Sequence, residues 1–298
     1  MIPALNPTPS PLVGEGGKAL GSRHAAPPTP TLPRKGRGNL RAVILVTLVF
    51  VSSAVLAADQ APYQIGDQRS GYTYLPPELQ AQQNDELGNQ GMLWVERGAA
   101  LWRAPAGTAG KSCATCHGDA AASMKGMRAS YPRWNDGLGK PIDLEQRINL
   151  CRTEQMGAEP LAWESEALLG ITAYVGRQSL GMKIALPADP RLEPYRKAGE
   201  AFYNQRRGQW QLACSYCHVE QVGHHLRGDL LSQGQTNGFP IYRLLWDRMG
   251  SVQRMFRWCN EGVRAEPYDF GSDEYIGLEI YLAERGRGLP VETPAVRR

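Results

Sequence analysis

Two pentapeptides, Cys113-Ala-Thr-Cys116-His117 and Cys214-Ser-Tyr-Cys217-His218, constrain this chain more than any other feature. Two thiols spaced this way attach covalently to the vinyl groups of a haem, and the histidine that follows donates a nitrogen to the iron. Zinc or disulfide-exchange sites also use Cys-x-x-Cys, but they do not require a histidine directly after both pairs. The expected cofactors are therefore two covalently bound c-type haems, with Cys113, Cys116, Cys214 and Cys217 as attachment points and His117 and His218 as proximal ligands.

The surroundings of the two motifs repeat. Gly98-Ala-Ala-Leu101 precedes the first and Glu200-Ala-Phe-Tyr203 the second. Tyr131-Pro132 is answered by Phe239-Pro240, Cys151 by Cys259, and Ala158-Glu159-Pro160 by Ala265-Glu266-Pro267. The motifs are offset by 101 residues, whereas Tyr131/Phe239 and Cys151/Cys259 are offset by 108, so the second copy carries seven extra residues. Such self-similarity reads as internal duplication of a unit of about 100 residues. The expected fold is all-α, with two tandem cytochrome c-type domains at 91–186 and 187–298 and an irregular extension before them. The three prolines of residues 184–194 mark the linker. Apolar spacing and caps predict helices over 92–101, from Asp143 as N-cap to Cys151, and over 165–177. Residues 58–90 are expected to form an extended lead-in.

Residues 1–33 are rich in Pro, Gly and Thr without apolar periodicity. A basic segment from Arg34 to Arg41 then meets an apolar run from Ala42 to Leu56, followed by Ala57-Ala58-Asp59. A membrane anchor is the alternative, but the run is shorter than the roughly 20 residues a span needs, which favours an export signal and a periplasmic protein. Residues 1–57 are thus expected to be a miscalled leader plus signal peptide, with translation starting near Leu40 or Val43, and the mature chain to carry no membrane span. Without them 27 basic residues face 28 acidic ones, which gives no case for a nucleic-acid partner or an anionic membrane surface.

Cys151 and Cys259 belong to neither motif. They are the only potential ligands beyond the motifs that match between the copies, because Met156, Met182, Met249, Met255, His224 and His225 lack counterparts. They follow their proximal histidines by 34 and 41 residues, far enough for the chain to reach the opposite haem face. A Cys151–Cys259 disulfide is the competing arrangement in an oxidising compartment. Thiolate ligation would stabilise ferric iron and lower the potential, whereas a simple electron carrier usually offers methionine.

The run Cys259-Asn-x-x-Val-Arg264-Ala-Glu-Pro267, followed by Gly271-Ser-x-Glu-Tyr-x-x-Leu-Glu-x-Tyr-Leu282-x-x-Arg-Gly286, resembles the SoxA family. With the two upstream motifs, the resemblance covers about residues 65–290 and all six cysteines. It implies a dihaem subunit that pairs with SoxX and acts as an L-cysteine S-thiosulfotransferase. Thiosulfate would be joined to a cysteine on the arm of the SoxYZ carrier, and two electrons would pass through the SoxX haem to an acceptor cytochrome c. The resemblance also implies that the second haem is the active one and that its distal cysteine, here Cys259, is catalytic and able to carry a persulfide. An arginine commonly stands four residues before that cysteine in the family; here the position holds Met255. Arg254 and, second, Arg285 are the expected substrate-binding residues, since a dianion calls for guanidinium donors. A dihaem electron carrier, a peroxidase-type dihaem enzyme or a scaffold that only docks partners are the other readings.

Overall fold

The structure is a computed structural model that describes residues 62–298; the expected leader and export signal lie outside them. The described chain opens with a short antiparallel pair, β1 (Gln64–Ile65) and β2 (Gln68–Arg69), and then a helix, α1 (Pro77–Asn84). The lead-in is therefore not simply extended. Helix α1 buries no residue, so no apolar stripe announced it. Pro77 occupies its first turn, where a missing N–H costs nothing. Polar contacts tie it to the far end of the chain: Gln83 Oε1 accepts from Val296 N (3.1 Å) and Gln83 Nε2 donates to Glu292 (3.1 Å).

The first motif half contains α2 (Gly91–Arg103), α3 (Cys113–His117) and α4 (Ala120–Ser123). A hairpin of β3 (Arg133–Asn135) and β4 (Lys140–Ile142) follows, then α5 (Leu144–Met156) and α6 (Glu166–Arg177). Asp143 caps α5 in a reciprocal box with Gln146, and Ser165 caps α6, as their positions in the sequence predict. The second half contains α7 (Glu193–Asn204), a π-turn at Tyr216–Glu220 and the hairpin β5 (His225–Leu226)/β6 (Asp229–Leu230). Next come β7 (Ile241–Arg243), β8 (Arg248–Gly250), α8 (Val252–Gly262), α9 (Asp273–Arg285) and β9 (Ala295–Arg297). Strand β7 is central to a three-stranded sheet, antiparallel to β8 and parallel to β9. The architecture is helix-rich with small sheets, which corrects the all-α expectation. The sheets are too short, and too dependent on distant pairing, to leave an alternating pattern in the sequence.

Glycine sets the two main helix contacts. A Cβ on Gly98 of α2 would stand 2.0 Å from the carbonyl oxygen of Gly170 on α6, and a Cβ on Gly199 of α7 would stand 2.0 Å from that of Gly277 on α9. Only glycine permits backbones to approach so closely. Around the first crossing Trp102, Ile148, Leu168 and Ile171 form a core, and around the second Phe202, Phe256, Tyr275 and Leu278 do. Burying each such side chain contributes about 1.5–3 kcal/mol. Two further clusters join the halves. Trp94, Leu169 and Ala173 pack with Tyr242 and Met249, and Ala129 packs with Ile184, Leu186, Leu192, Ile276 and Ile280. The expected linker is thus part of the core: its prolines restrict the backbone while Ile184, Leu186 and Leu192 are buried. Among the described residues no helix is long and apolar enough to cross a membrane.

Carboxylates outnumber cations where α5, α8 and α9 meet. Asp143 and Glu145 are buried, Glu279 is half-buried, and the guanidinium beside them, Arg128, donates to the carbonyl oxygens of Phe239 (2.8 Å) and Thr236 (2.9 Å). Gln253 of α8, 1% exposed, connects the acids. Its Nε2 donates to Asp143 Oδ2 (2.8 Å) and Glu279 Oε1 (2.7 Å), and its Oε1 accepts from Gly271 N (2.7 Å). Burial pushes Glu279 up to about 8, with Glu145 repelling it, and pushes Glu145 up to about 7 against the pull of Arg128. Burial and both glutamates also raise Asp143 well above its ordinary value.

Two outcomes follow for stability. Replacing Gly199 with Ala forces α7 from α9 and should cost about 1–3 kcal/mol, lowering the melting midpoint by roughly 3–10 °C. Because the folded-state values of Glu145 and Glu279 lie above the 4.5 of an ordinary glutamate, the native state holds protons that the unfolded chain has released. Thermal stability should therefore fall as pH rises from 4.5 to about 8 and level off above, and Glu279→Gln should flatten the decline; an unchanged slope in melting curves would count against the protonated cluster.

Candidate functional site

The first motif forms α3 itself. Ser112 caps it by accepting from Thr115 N (3.1 Å), while Thr115 Oγ1 accepts from Ser112 N (3.0 Å), so even this five-residue helix has a fixed start. His117 is exposed, with its ring 5.8 Å from that of Trp102. In the second motif Cys217 and His218 lie in the π-turn after Cys214. His218 Nδ1 is 2.8 Å from the carbonyl oxygen of Ser232. A carbonyl can only accept, so Nδ1 carries the proton and Nε2 keeps its lone pair. Burial lowers the pKa of His218 and favours the neutral ring. Gly234 lies beneath that ring, where a Cβ would stand 2.9 Å from Cγ, so no larger residue fits without moving the histidine. An imidazole fixed by Nδ1 with a free Nε2 is the form in which histidine binds metal.

All six cysteines are free, so Cys151 and Cys259 are not joined to one another. Each lies instead by the motif of its own half. Cys151, on α5, acts on the thiol of Cys113 and is acted on by Cys116, and Cys259, on α8, is acted on by Cys214 and Cys217. Two requirements place Cys259 there. Ser251 caps the start of α8, accepting from Arg254 N (3.1 Å), and Val252 and Phe256 anchor one face in the second core. The remaining face turns toward the motif. Met156 and Met249 are core residues, 4% and 0% exposed, and His224 and His225 are exposed at the β5 hairpin. These four therefore compete poorly with the cysteines as ligands.

Cys259 is exposed to solvent, yet many protein atoms stand around its sulfur. Crowding governs its acidity: desolvation pushes the thiol up to about 12, the thiols of Cys214 and Cys217 add to the rise, and only Arg243 opposes it. Desolvation likewise pushes Cys214 up to about 11. The polypeptide alone thus disfavours a thiolate at residue 259, and a metal cation would reverse that balance. Tyr216, Val219 and Trp258, next to the motif and to Cys259, are exposed apolar side chains that a flat apolar group would cover. Imidazole nitrogen, paired cysteines and a further sulfur are the donor set a c-type haem takes, and Cys214, Cys217, His218 and Cys259 are the residues that would hold it; Cys113, Cys116, His117 and Cys151 are the corresponding residues in the first half.

The expected arginines go elsewhere. Arg285 donates to Tyr203 Oη (2.6 Å) and to Gln233 O (3.2 Å), on the side of His218. Arg254 stacks on Trp246 at 4.4 Å and lies 3.8 Å from Glu164. The guanidinium whose charge acts on Cys259 belongs to Arg243, at the end of β7. Sequence reasoning missed it because it lies 16 residues before the cysteine on a different element, outside any helical spacing. Only the β7–β8 register, which returns the chain from Arg243 to the start of α8, brings it back.

Comparison with known proteins agrees with this arrangement. A family model described as "SoxA/TsdA, cytochrome c domain" matches residues 97–184. The chain is 44% identical to the L-cysteine S-thiosulfotransferase subunit SoxA of Pseudaminobacter salicylatoxidans, over 77% of this chain and 80% of that protein. It is 41% identical to the subunit of the same name from Rhodovulum sulfidophilum, with the same two coverages. The crystal structure of SoxXA from P. pantotrophus matches with a TM-score of 0.74 and 38% identity, over 77% of this chain and 87% of that one. Relatives this similar over so much of their length leave one assignment: the chain belongs to the SoxA family.

Proposed function

We propose that this chain is the catalytic cytochrome subunit of a periplasmic L-cysteine S-thiosulfotransferase, with Cys259 as its reactive residue. The observation that carries the reading is an exposed Cys259 close enough to Cys214, Cys217 and the guanidinium of Arg243 for their charges to act on its thiol. A haem held by Cys214, Cys217 and His218 would supply a cation that keeps this sulfur a thiolate and an acceptor for single electrons. A second, held by Cys113, Cys116 and His117 opposite Cys151, completes a dihaem chain. The names of the relatives support the reaction, and the SoxXA structure supports a SoxX partner.

In this reaction the carrier-arm thiol of SoxYZ loses a proton and its sulfur bonds to the sulfane sulfur of thiosulfate. The product is a cysteine S-thiosulfonate, and two electrons leave toward the SoxX haem and an acceptor cytochrome c. The residues of this chain bind and orient. Cys259 offers a sulfur that an arm can reach from solvent, and arginine offsets the charge of the dianion. The elements also support reading the two halves as copies of one cytochrome c unit. The starts of β3 and β7, of β4 and β8, and of α5 and α8 are each 108 residues apart. Each half has one glycine crossing.

The test is turnover with SoxX, SoxYZ and a cytochrome c present. Cys259→Ala should lower thiosulfate-dependent cytochrome reduction by about a hundredfold or more while both haems stay attached. Normal turnover would identify a docking scaffold instead. Cys259→Met should raise the potential of one haem by an amount on the order of 100 mV or more, because thioether replaces thiolate. Redox titration reads that shift directly, and no shift would remove Cys259 from the iron.

A further inference from the structure

Arg243 and Met255 are arranged as if two residues had exchanged tasks. In the first half Arg147 stands one helical turn before Cys151, on the same helix. In the second half the position one turn before Cys259 is Met255. Nη1 of Arg243, from β7, lies 3.6 Å from Met255 Sδ, so a guanidinium reaches the same turn from another element. The residue at the corresponding end of β3 is Asn135. One half thus pairs Asn on the strand with Arg on the helix, and the other pairs Arg with Met.

The setting of Arg243 is that of an anion receptor. The residue is 9% exposed. Its Nε donates to the carbonyl oxygen of Arg298 (2.8 Å), beside β9, which fixes one edge of the fork. Its guanidinium carbon lies 5.0 Å from the ring centroids of both Trp246 and Trp258, which meet edge to face. Gly250 makes room for this packing: a Cβ there would stand 2.4 Å from the Trp246 ring. Among the described residues Nη1 and Nη2 make no hydrogen bond to oxygen, and the Asp229 carboxylate lies 3.8 Å from Nη2. A buried guanidinium with its outer N–H groups unmatched favours an anion with several oxygens, which it can grip with two parallel bonds.

We propose that Arg243 binds the sulfonate end of the sulfur substrate at Cys259, in place of an arginine on the cysteine's own helix, and that Trp246 and Trp258 hold it in position. This rests on the function proposed above and names the residue that selects an oxyanion there. With the sulfonate oxygens on Arg243, the sulfane sulfur is the end left for the cysteine sulfur and the incoming arm. Arg254, 4.4 Å from the Trp246 ring centroid, supports the stack and does not grip the substrate.

The test uses the haem-loaded complex with SoxX, assayed with SoxYZ for KM and kcat, alongside its absorption spectrum. Arg243→Met should raise the KM for thiosulfate by about tenfold or more with the haem spectrum unchanged. The double variant R243M/M255R returns a guanidinium to the helix and should bring KM back to within about threefold of the parent. A KM within about twofold of the parent in R243M, or no recovery in the double variant, overturns the proposal. Should R243M lose its haem, Arg243→Lys keeps a charge without the fork: a raised KM at a normal spectrum supports the assignment, and an unaltered KM refutes it. Full turnover in C259A would sink the proposed function itself. An inactive C259A alongside an unimpaired R243M would sink only the role of Arg243.

Discussion

Contact between backbones at two glycine crossings fixes the geometry on which the rest of this chain depends. With Gly98 against Gly170 and Gly199 against Gly277, α2 and α6, and likewise α7 and α9, come too close for any side chain to intervene. Each crossing pair then presents one surface against which the Cys-x-x-Cys-His segment and the helix of the lone cysteine can pack. Trp102 and Ile148 do this in the first half, and Phe202 and Phe256 in the second. A displacement of one ångström at a crossing would be carried to the facing sulfur, because close-packed interiors transmit strain.

Desolvation poses the same problem in two places, and the chain answers it differently. At the junction of α5, α8 and α9 it raises Asp143, Glu145 and Glu279, and the answer is to keep protons while Gln253 donates one N–H to each of two carboxylates. At Cys259 it raises a thiol, and there the proton has to leave if sulfur is to bind metal. One guanidinium opposes the rise, and iron would supply the larger charge. Because Gln253 and Cys259 share α8, the protonated junction and the sulfur are two ends of one rigid element. The acids hold α8 to the cap of α5, the helix that bears the other lone cysteine.

The features that were legible in the sequence are those written in local pattern. The haem motifs, the Asp143 and Ser165 caps and the helices behind them depend on residues within a turn or two of each other. Helix α1 was not legible because it has no buried face, and the burial of Ile184, Leu186 and Leu192 was not because prolines mark a linker more loudly than three apolar residues mark a core. The sheet β8-β7-β9 was hidden for a different reason. Its parallel edge joins Ile241 to Ala295 across half a domain, and no periodicity carries information over that distance.

The arginines show the same limit where it bears on chemistry. Spacing along α8 draws attention to Arg254 and Arg257, which share a helix with Cys259. Yet Arg254 turns to Trp246 and Glu164, while Arg257 donates to the carbonyl of Tyr268 and lies over Phe270. Arg257 is thus bonded away from the cysteine, and Arg254 keeps its charge by Glu164 with 26% of its side chain exposed. Arg243 is more deeply buried, with 11% of its side chain exposed, one firm bond, two rings that fix its plane, outer N–H groups left over and a charge that acts on Cys259. What marks a binding residue here is unsatisfied donor capacity in a desolvated place, a property of three-dimensional surroundings rather than of order along the chain. A helical register can list the candidates, but burial and nearness to the sulfur choose among them.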